Sequence, residues 1–377
     1  MRLVINAFSA RLGGGQTYLQ NLLARLPATD SLEVLVFAPA GLALPAHASL
    51  RRVDTRWPTQ NPLLRALWER FLLPRLLRRW RADVLFCPGG VVATRAPAAC
   101  RVVTMFRNMA PFDRRLVDSM PWGLQRLRNL ILERVMLKSM AGADLTIFIS
   151  DFARRFIESR VRIPNAVTIP HGIGESFRTH GKSLDRPSNL PGGDYLLYVS
   201  RFDTYKHHRE VITGYSRLPQ ALRDKFALIL VGETNLPEAD RMTELIARLQ
   251  LTDRVLMLGP VPYPELPRFY ANAHATLFAS SCENCPNILL EALGAGRPVL
   301  SSDVMPMPEF GGDGIDYFSP FDPDSIAVAL QRVLADKEHA SRIARAAEQR
   351  SARYDWAATA SETWQRILSL PAQSRAR

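Results

Sequence analysis

The stretch SSCENCPNILLEALGAGRPVL, residues 280–300, decides the fold because it joins two apolar runs through a loop and a helix. HATLFAS before it and PVLSS at its end are short apolar runs of the kind found in buried strands. Pro286 suits the first position of a helix, and Gly294 and Gly296 mark where that helix ends. Strand, helix and strand in this order predict one unit of a parallel sheet.

The same alternation runs through the chain twice. Strands are predicted first at LVINAF, LEVLVFAP, DVLFCPG, RVVTMF, DLTIFIS and AVTIPHG. After the polar linker SFRTHGKSLDRPSNLPGGD they are predicted at YLLYVS, FALILVGE, RVLMLGP, HATLFAS and PVLSS. Continuous apolar runs suit parallel strands that are buried on both faces. The sequence therefore predicts an α/β protein of two doubly wound, Rossmann-like domains that face each other across a cleft.

The predicted domain boundaries follow from this linker. We expect an N-terminal domain over residues 1–178 and a C-terminal domain over 190–355. Residues 356–377 should form a C-terminal helix that packs back toward the N-terminal domain. The length of 377 residues, with 47% hydrophobic and 22% charged residues, is ordinary for a soluble two-domain protein.

The four cysteines do not suggest a disulfide framework, and a reducing cytoplasm fits them better. Cys282 and Cys285 form a CxxC pair, which occurs in zinc sites and redox pairs. No second CxxC accompanies it in the sequence, so small residues that fill a turn are the preferred interpretation. No metal and no cofactor are expected.

Positive charge is concentrated in the first half of the chain. Residues 1–180 contain 26 Lys and Arg against 12 Asp and Glu, whereas the remainder contains 22 against 24. This asymmetry suggests an anionic partner, and the alternative is a solvated, Arg-rich surface. Nucleic acid is not expected, because aromatic and basic residues are not interleaved in the usual way.

A basic amphipathic segment, PLLRALWERFLLPRLLRRWRAD at residues 62–83, accounts for much of this charge. Apolar residues recur at helical spacing with Arg between them, and Pro74 should kink or split the helix. Such a segment can lie on an anionic membrane surface, or it can bury its Leu face while its Arg side chains reach solvent. GLQRLRNLILERVMLKSM has the same character. No apolar run approaches the ~18 residues that span a bilayer.

Two carboxylates in the opening stretch suggest a ligand site. Glu283 lies in the loop after a strand, and Glu291 lies about one and a half turns into the helix within an apolar run. A helix start carries unpaired N–H groups and the positive end of the helix dipole, which favour a phosphate. The segment thus offers a loop carboxylate, an anion-binding helix end and a second carboxylate.

With GAGRPVLSS after it, ENCPNILLE resembles the E-x7-E signature of the retaining glycosyltransferases of family 4, which have the GT-B fold. The resemblance extends over nearly the whole chain. LGGG near the start, TIPHGI, YVSRFDTYKH, LVGE and MPEFGGDGIDYFSPFD resemble further family segments in the same order.

The resemblance implies roles for individual residues. Glu291 would bind the ribose hydroxyls of a nucleotide sugar, and Glu283 would contact hydroxyls of the transferred sugar. Arg201 and Lys206 would lie on the diphosphate, whose charge grows as it departs. The remaining contacts to the donor that the resemblance implies are from Gly14, Gly15, Glu233, Asn287, Ile288 and Leu289.

The chain departs from the family pattern at one position. Many members carry a histidine after the strand that matches RVVTMF, whereas this sequence reads TMFRNMAPFD. Asn108 is therefore the expected substitute at the reacting sugar, and His171 in IPHGI is a further candidate whose alternative role is packing. Retaining enzymes of this family are thought to use the leaving phosphate itself to accept the acceptor proton.

The sequence thus predicts a retaining, metal-independent glycosyltransferase that uses a nucleotide-sugar donor, with GDP-mannose as the candidate. The expected acceptor is a growing cell-surface polysaccharide, lipopolysaccharide or lipid-linked glycan, at the cytoplasmic face of the membrane. A non-catalytic nucleotide-sugar-binding or membrane-binding subunit, a nucleotide-sugar epimerase and a glycan phosphorylase are the alternatives.

Overall fold

The computed structural model describes residues 1–11, 13–29, 31–179 and 184–371. The chain divides into two compact units. The first comprises Met1–Gly172 together with the chain from Trp356 onward, and the second comprises Ile173–Asp355. Residues 180–183 of the predicted linker and 372–377 of the predicted C-terminal helix lie outside the described residues.

The first unit is a seven-stranded parallel sheet with flanking helices. Its strands are β1 (Arg2–Asn6), β2 (Glu33–Phe37), β3 (Leu50–Arg52), β4 (Val84–Cys87), β5 (Arg101–Phe106), β6 (Leu145–Phe148) and β7 (Ala166–Thr168). Its helices before the linker are α1 (Gly14–Leu23), α2 (Pro62–Phe71), α3 (Leu73–Trp80), α4 (Arg114–Ser119), α5 (Leu124–Ala141) and α6 (Asp151–Glu158). The strand order is β3-β2-β1-β4-β5-β6-β7, and every pairing is parallel.

The second unit repeats this architecture with six parallel strands. They are β8 (Asp194–Val199), β9 (Phe226–Val231), β10 (Val255–Met257), β11 (Ala275–Phe278), β12 (Val299–Ser302) and β13 (Asp316–Phe318). The helices are α7 (His208–Ser216), α8 (Gln220–Lys225), α9 (Pro237–Arg248), α10 (Leu266–Asn272), α11 (Asn287–Gly294), α12 (Met307–Gly311), α13 (Pro323–Ala335) and α14 (Lys337–Ser351). The order is β10-β9-β8-β11-β12-β13.

The last helix, α15 (Trp356–Leu368), belongs to the first unit and packs against α1. The indole N–H of Trp364 donates to the carbonyl of Leu22 over 3.1 Å, which satisfies the polar atom of a buried aromatic side chain.

The direction of chain progression reverses once in each sheet. In the first sheet the reversal lies between β1 and β4, and in the second it lies between β8 and β11. In open α/β sheets, the crevice outside the carboxyl ends of the strands at such a reversal is where ligands bind. The loops that follow β8 and β11 are therefore the first place to look for a site in the second unit.

The structure confirms the α/β class and the two parallel sheets, and it adds elements that hydropathy alone did not reveal. The edge strands β3 and β13 are the added strands, and their sequences, LRR and DYF, contain charged residues and do not form an apolar run. The split expected at Pro74 occurs, because α2 ends at Phe71 and α3 begins at Leu73. Pro286 is the residue before α11 rather than its first residue.

Candidate active site

The loops after β8 and β11 are joined by an ion pair. A short 3-10 helix, Thr204–Lys206, carries Lys206, whose ammonium group contacts the carboxylate of Glu283 in the loop after β11. Lys206 is only 6% exposed. A lysine is almost never buried to this extent without a partner, so Glu283 is what keeps this charge inside the protein. The pair lies at the reversal of strand order in the second sheet.

A second ion pair lies at the neighbouring strand end. Arg201 follows β8 and Glu233 follows β9, and the Arg201 Nε atom lies 3.2 Å from the Glu233 carboxylate. Both side chains are roughly half exposed. Exposed pairs of this kind contribute about 0–1 kcal/mol to stability, so little free energy opposes the release of Arg201 to an incoming anion.

The second carboxylate of the E-x7-E motif is buried in α11. Burial raises the pKa of Glu291 to about 8, and the hydrogen bond from Tyr263 acts in the opposite direction. The Tyr263 hydroxyl donates to Glu291 Oε1 over 2.9 Å. Tyr263 lies in a short 3-10 helix that precedes α10, so its proximity to Glu291 was not visible in the sequence.

The first turn of α11 holds the three other predicted contacts of this segment. Asn287 opens the helix, and its N–H donates to the carbonyl of Cys285 over 3.0 Å. Ile288 is half-buried, whereas the Leu289 side chain is fully buried in the core of the second unit. The Leu289 side chain is therefore not accessible to a ligand, so its predicted contact could come only from its backbone.

The glycines of the first unit lie at the start of α1, directly after β1. Gly14 is the first residue of the helix, and the preceding Gly13 has φ 56°, a left-handed value that glycine adopts without strain. A Cβ atom on Gly15 would lie 3.2 Å from a guanidinium nitrogen of Arg107. Arg107 was not selected from the sequence, yet it follows β5 and covers this turn.

Asn108 and His171 also belong to the first unit, and both have local roles there. The Asn108 side chain accepts a hydrogen bond from the N–H of Ala110 over 3.2 Å and stabilises the turn after β5. His171 is buried and lies between the rings of Tyr18 and Trp356, each with its centroid 5.3 Å away. Their contacts with a reacting sugar stay predictions.

Together, the second unit presents two cationic side chains, three carboxyl groups and a helix start around adjacent strand ends. Fixed cations suit an oxygen-rich anion such as a diphosphate, because they need no reorganisation when its charge grows. Carboxylates suit hydroxyl groups, to which they offer up to four acceptor positions. The arrangement fits a ligand that carries both a diphosphate and several hydroxyls.

Two family models match the sequence in succession. The model described as Glycosyltransferase Family 4 matches residues 12–177, and the model described as Glycosyl transferases group 1 matches residues 182–350. Between them they account for most of the chain.

Characterised relatives are similar at low identity. The O-antigen chain mannosyltransferase B of Escherichia coli is 28% identical over 242 residues, which are 63% of this chain and 62% of that protein. The D-inositol 3-phosphate glycosyltransferase of Frankia alni is 30% identical over 176 residues, 45% of this chain and 43% of that protein. The matches thus span less than two thirds of the length of either relative.

Solved structures with the same fold cover almost the whole chain. Sucrose-phosphate synthase from Thermosynechococcus elongatus superposes with a TM-score of 0.74 at 18% identity, over 97% of this chain and 98% of that chain. WaaG, a glycosyltransferase involved in lipopolysaccharide biosynthesis, superposes with a TM-score of 0.74 at 15% identity, over 98% of this chain and 100% of that chain. Anabaena HepE in complex with UDP-glucose superposes with a TM-score of 0.70 at 18% identity, over 98% of this chain and 100% of that chain.

The chain belongs to the GT-B glycosyltransferases of the family 4 type. The fold and the family that the sequence suggested are confirmed.

Proposed function

We propose that the protein is a glycosyltransferase that moves a sugar from a nucleotide-sugar donor to a growing cell-surface glycan or a lipid-linked acceptor. The observation that carries this proposal is the buried pair of Lys206 and Glu283 at the strand-order reversal of the second sheet. Each partner matches one half of the donor: the lysine suits the diphosphate and the carboxylate suits the sugar hydroxyls.

In the proposed reaction the donor separates this pair. The diphosphate binds to Lys206 and Arg201, and the sugar hydroxyls donate hydrogen bonds to Glu283. Glu291 accepts hydrogen bonds from the ribose hydroxyls. The bond between the anomeric carbon and the diphosphate oxygen breaks, and a bond to the acceptor oxygen forms on the same face of the sugar. The acceptor proton passes to the departing phosphate oxygen, so that the configuration is retained without an added base.

A double displacement is less suitable for this site. It requires a carboxylate nucleophile directed at the anomeric carbon. Glu283 is the candidate in this loop, and in the proposed donor complex its carboxylate accepts from the sugar hydroxyls instead of attacking the anomeric carbon.

Mannose from GDP-mannose is the donor sugar we propose. Its support is the similarity to the O-antigen chain mannosyltransferase B and to the serotype-specific mannosyltransferase WbdA, both of Escherichia coli. The similar fold of Anabaena HepE, whose structure was solved in complex with UDP-glucose, makes the uridine donor the main competitor.

We also propose that the protein works at the cytoplasmic face of the membrane as a peripheral protein. The N-terminal part of helix α5 supports this, because its burial is inverted there, whereas Met136 and Met140 further along are buried as usual. Asn129 and Glu133 lie on its buried face, whereas Leu124, Leu127 and Ile131 point outward, with Leu124 88% exposed. Exposed apolar side chains at helical spacing cost free energy in water and gain it in the interfacial region of a bilayer.

Helix α2 adds a similar stripe, since Leu63, Leu67 and Phe71 are exposed along one face. Burial lowers the pKa of Arg65 on α2, Glu69 raises it, and the guanidinium groups of Arg11 and Arg128 lower it. Both α2 and α5 belong to the first unit. By contrast, α3 buries Leu73 and Leu77 and exposes mainly its arginines. The exposed apolar face of the predicted 62–83 segment is therefore on α2.

A non-catalytic nucleotide-sugar-binding subunit is the second candidate function. It is favoured by the engagement of Asn108 in a local turn, at the position where many family members have a histidine. A nucleotide-sugar epimerase would use the same donor site without an acceptor.

Three assays separate these functions. A thermal-shift panel of GDP-, UDP-, ADP- and dTDP-sugars should show stabilisation by the correct donor, because a ligand that binds the folded state stabilises it by mass action. Donor hydrolysis or transfer to a glycan extract, followed by proton NMR of the anomeric centre, then tests catalysis and retention. Binding without turnover would favour the non-catalytic subunit, and conversion of the donor sugar alone would favour the epimerase.

A further inference from the structure

Next to Lys206 lies a histidine with a backbone conformation that is unusual for it. His207 has φ 51°, and it precedes the first residue of α7. A left-handed backbone is strained for a residue with a Cβ, whereas glycine adopts it freely. Such strain persists where the surrounding contacts hold the residue in place, and it is common at functional sites.

The imidazole of His207 connects three elements of the second unit. Its Nε2 atom lies 2.8 Å from the hydroxyl of Ser281 in the loop after β11. Its Nδ1 atom lies 3.5 Å from the carboxylate of Glu210 in the first turn of α7. Its ring packs edge-on against Phe321 with the centroids 4.9 Å apart. These contacts restrict the ring on every side that the structure describes.

The hydrogen-bond directions follow from the partners. A carboxylate only accepts, so the Nδ1 side of the ring is the side that can donate to Glu210, and Nε2 is the atom that meets the Ser281 hydroxyl. Burial raises the pKa of Glu210, but the interaction with His207 is among the contacts that lower it below its usual value overall. The Glu210 carboxylate therefore stays ionised and helps to orient the ring.

Ser281 and His207 flank the ion pair at the site. Ser281 is two residues before Glu283, and His207 directly follows Lys206. A backbone hydrogen bond also joins the two loops, from the N–H of Ser281 to the carbonyl of Tyr205 over 2.9 Å. The imidazole and this backbone bond together hold the loop that carries Glu283 against the loop that carries Lys206.

We propose that His207 is a positioning residue that fixes the Glu283 loop relative to the Lys206 loop through Ser281. Its kinetic consequence rests on the proposed transferase function, because Lys206 and Glu283 are the residues it aligns. When a donor separates the ion pair, the link from His207 to Ser281 keeps the two loops in register. Misplacement of reacting groups by about 1 Å can lower a rate about a hundredfold.

The order Ser281, His207 and Glu210 also resembles the nucleophile, base and acid of a serine hydrolase. The hydroxyl of Ser281, however, lies 3.4 Å from the carbonyl of Tyr205, to which its own backbone N–H is bonded. The contacts of Ser281 therefore join its own loop to the loop that carries Tyr205 and Lys206. Covalent labelling of Ser281 by a fluorophosphonate is the outcome that would replace our assignment with a hydrolytic one.

Two substitutions of His207 separate its two contacts. In His207→Gln the side-chain amide can place a polar atom near the position of Nε2, whereas in His207→Asn it reaches only the position of Nδ1. We expect His207→Asn to lower kcat about tenfold to a hundredfold with a small change in donor KM, and His207→Gln to recover most of kcat. Gln250→Asn is the matched control, because Gln250 is an exposed residue with φ 56° elsewhere in the second unit.

Hydrogen exchange supplies a readout that does not depend on activity. In His207→Asn and Ser281→Ala, peptides that contain residues 280–284 should exchange faster at unchanged global stability, and in Ser281→Thr they should not. Unchanged exchange and unchanged kcat in His207→Asn would overturn the proposal. Faster exchange in a protein that transfers no sugar would support the positioning role of His207 and would rule out the proposed transferase function instead.

Discussion

The hydroxyl of Tyr263 donates a hydrogen bond to the carboxyl group of Glu291 over 2.9 Å, although the two residues lie in different elements. Glu291 is 7% exposed, and a carboxyl group buried to this degree needs hydrogen-bond donors. No basic side chain is among the groups that set its pKa, which burial raises to about 8. The site therefore holds an acid that is largely uncharged near neutral pH.

The raised pKa predicts how stability depends on pH. The unfolded chain ionises near 4.5, whereas the folded protein keeps the proton to about 8, so the wild type loses stability as pH rises between these values. In Glu291→Gln this loss is absent. We expect the variant to gain on the order of 3 kcal/mol over the wild type from pH 5 to pH 8. Urea unfolding at both pH values measures it, and a difference that is independent of pH would contradict the raised pKa.

Substitution of Glu291 should weaken donor binding, even though its replacement by Gln is expected to stabilise the fold at high pH. Glu291→Ala removes the acceptor proposed for the ribose hydroxyls and should weaken nucleotide-sugar binding by about 0.5–1.5 kcal/mol near neutral pH, where this carboxyl group is largely uncharged. Tyr263→Phe is the comparison variant, because it keeps the carboxyl group and removes one of its donors. Calorimetry on folded proteins tests both. An unchanged affinity in Glu291→Ala would rule out the ribose assignment.

The ends of the predicted strands and the spacing of the motifs were enough to predict which residues lie at the site. The positions of Lys206 and Glu283 follow from where β8 and β11 end, and parallel strands bring such ends together. Their direct ion pair was not foreseen, because the assigned roles were a diphosphate contact for one and a sugar contact for the other. Side-chain pairing depends on tertiary geometry that spacing along the chain does not specify.

Other features depend on packing in the same way. Tyr263 reaches Glu291 from a separate element, and Arg107 rather than Asn108 covers the start of α1. Helix α5 was read as basic and amphipathic, but which face is buried depends on its neighbours. Glu133 lies on the buried face because Arg114 and Arg160 pair with it, at 3.1 and 3.5 Å.

Removal of the cationic side chains should slow the reaction. Charge on the leaving diphosphate grows toward the transition state, so Arg201→Ala and Lys206→Met should lower kcat more than they raise donor KM. Lys206→Met also leaves Glu283 without its partner and should destabilise the fold. The double variant Lys206→Met/Glu283→Gln should regain stability without turnover. Normal turnover in both single variants would refute the diphosphate assignment, and denaturation melts separate the two effects.

Transfer should not require a divalent cation. Arg201, Lys206 and the start of α11 already place positive charge where the diphosphate is proposed to lie, which is the electrostatic part that Mg²⁺ supplies in other enzymes. We expect unchanged initial rates after dialysis against EDTA. Loss of transfer that is restored by Mg²⁺ or Mn²⁺ would contradict this expectation.

Membrane association should depend on charge and on the outward faces of α2 and α5. Each basic residue near an anionic leaflet contributes about 1 kcal/mol, and salt weakens this attraction, whereas the apolar contribution persists. In vesicle sedimentation we expect binding to anionic vesicles that decreases with salt. Replacement of Arg75, Arg78, Arg79 and Arg81 by Gln should weaken it, and Leu124→Glu/Leu127→Glu should nearly abolish it. Val328→Glu, at an exposed apolar position of the second unit, is the matched control and should pellet like the wild type.

Donor binding should be unchanged in all of these variants, because the proposed donor contacts lie mainly in the second unit. This makes nucleotide-sugar calorimetry a check that each variant is folded and competent. If the wild type ignores anionic vesicles even at low salt, the inverted face of α5 has a different partner, and a soluble acceptor becomes the better assignment. If the Leu variants pellet like the wild type while the Arg variants do not, the attraction is purely electrostatic and the apolar stripe does not enter the bilayer.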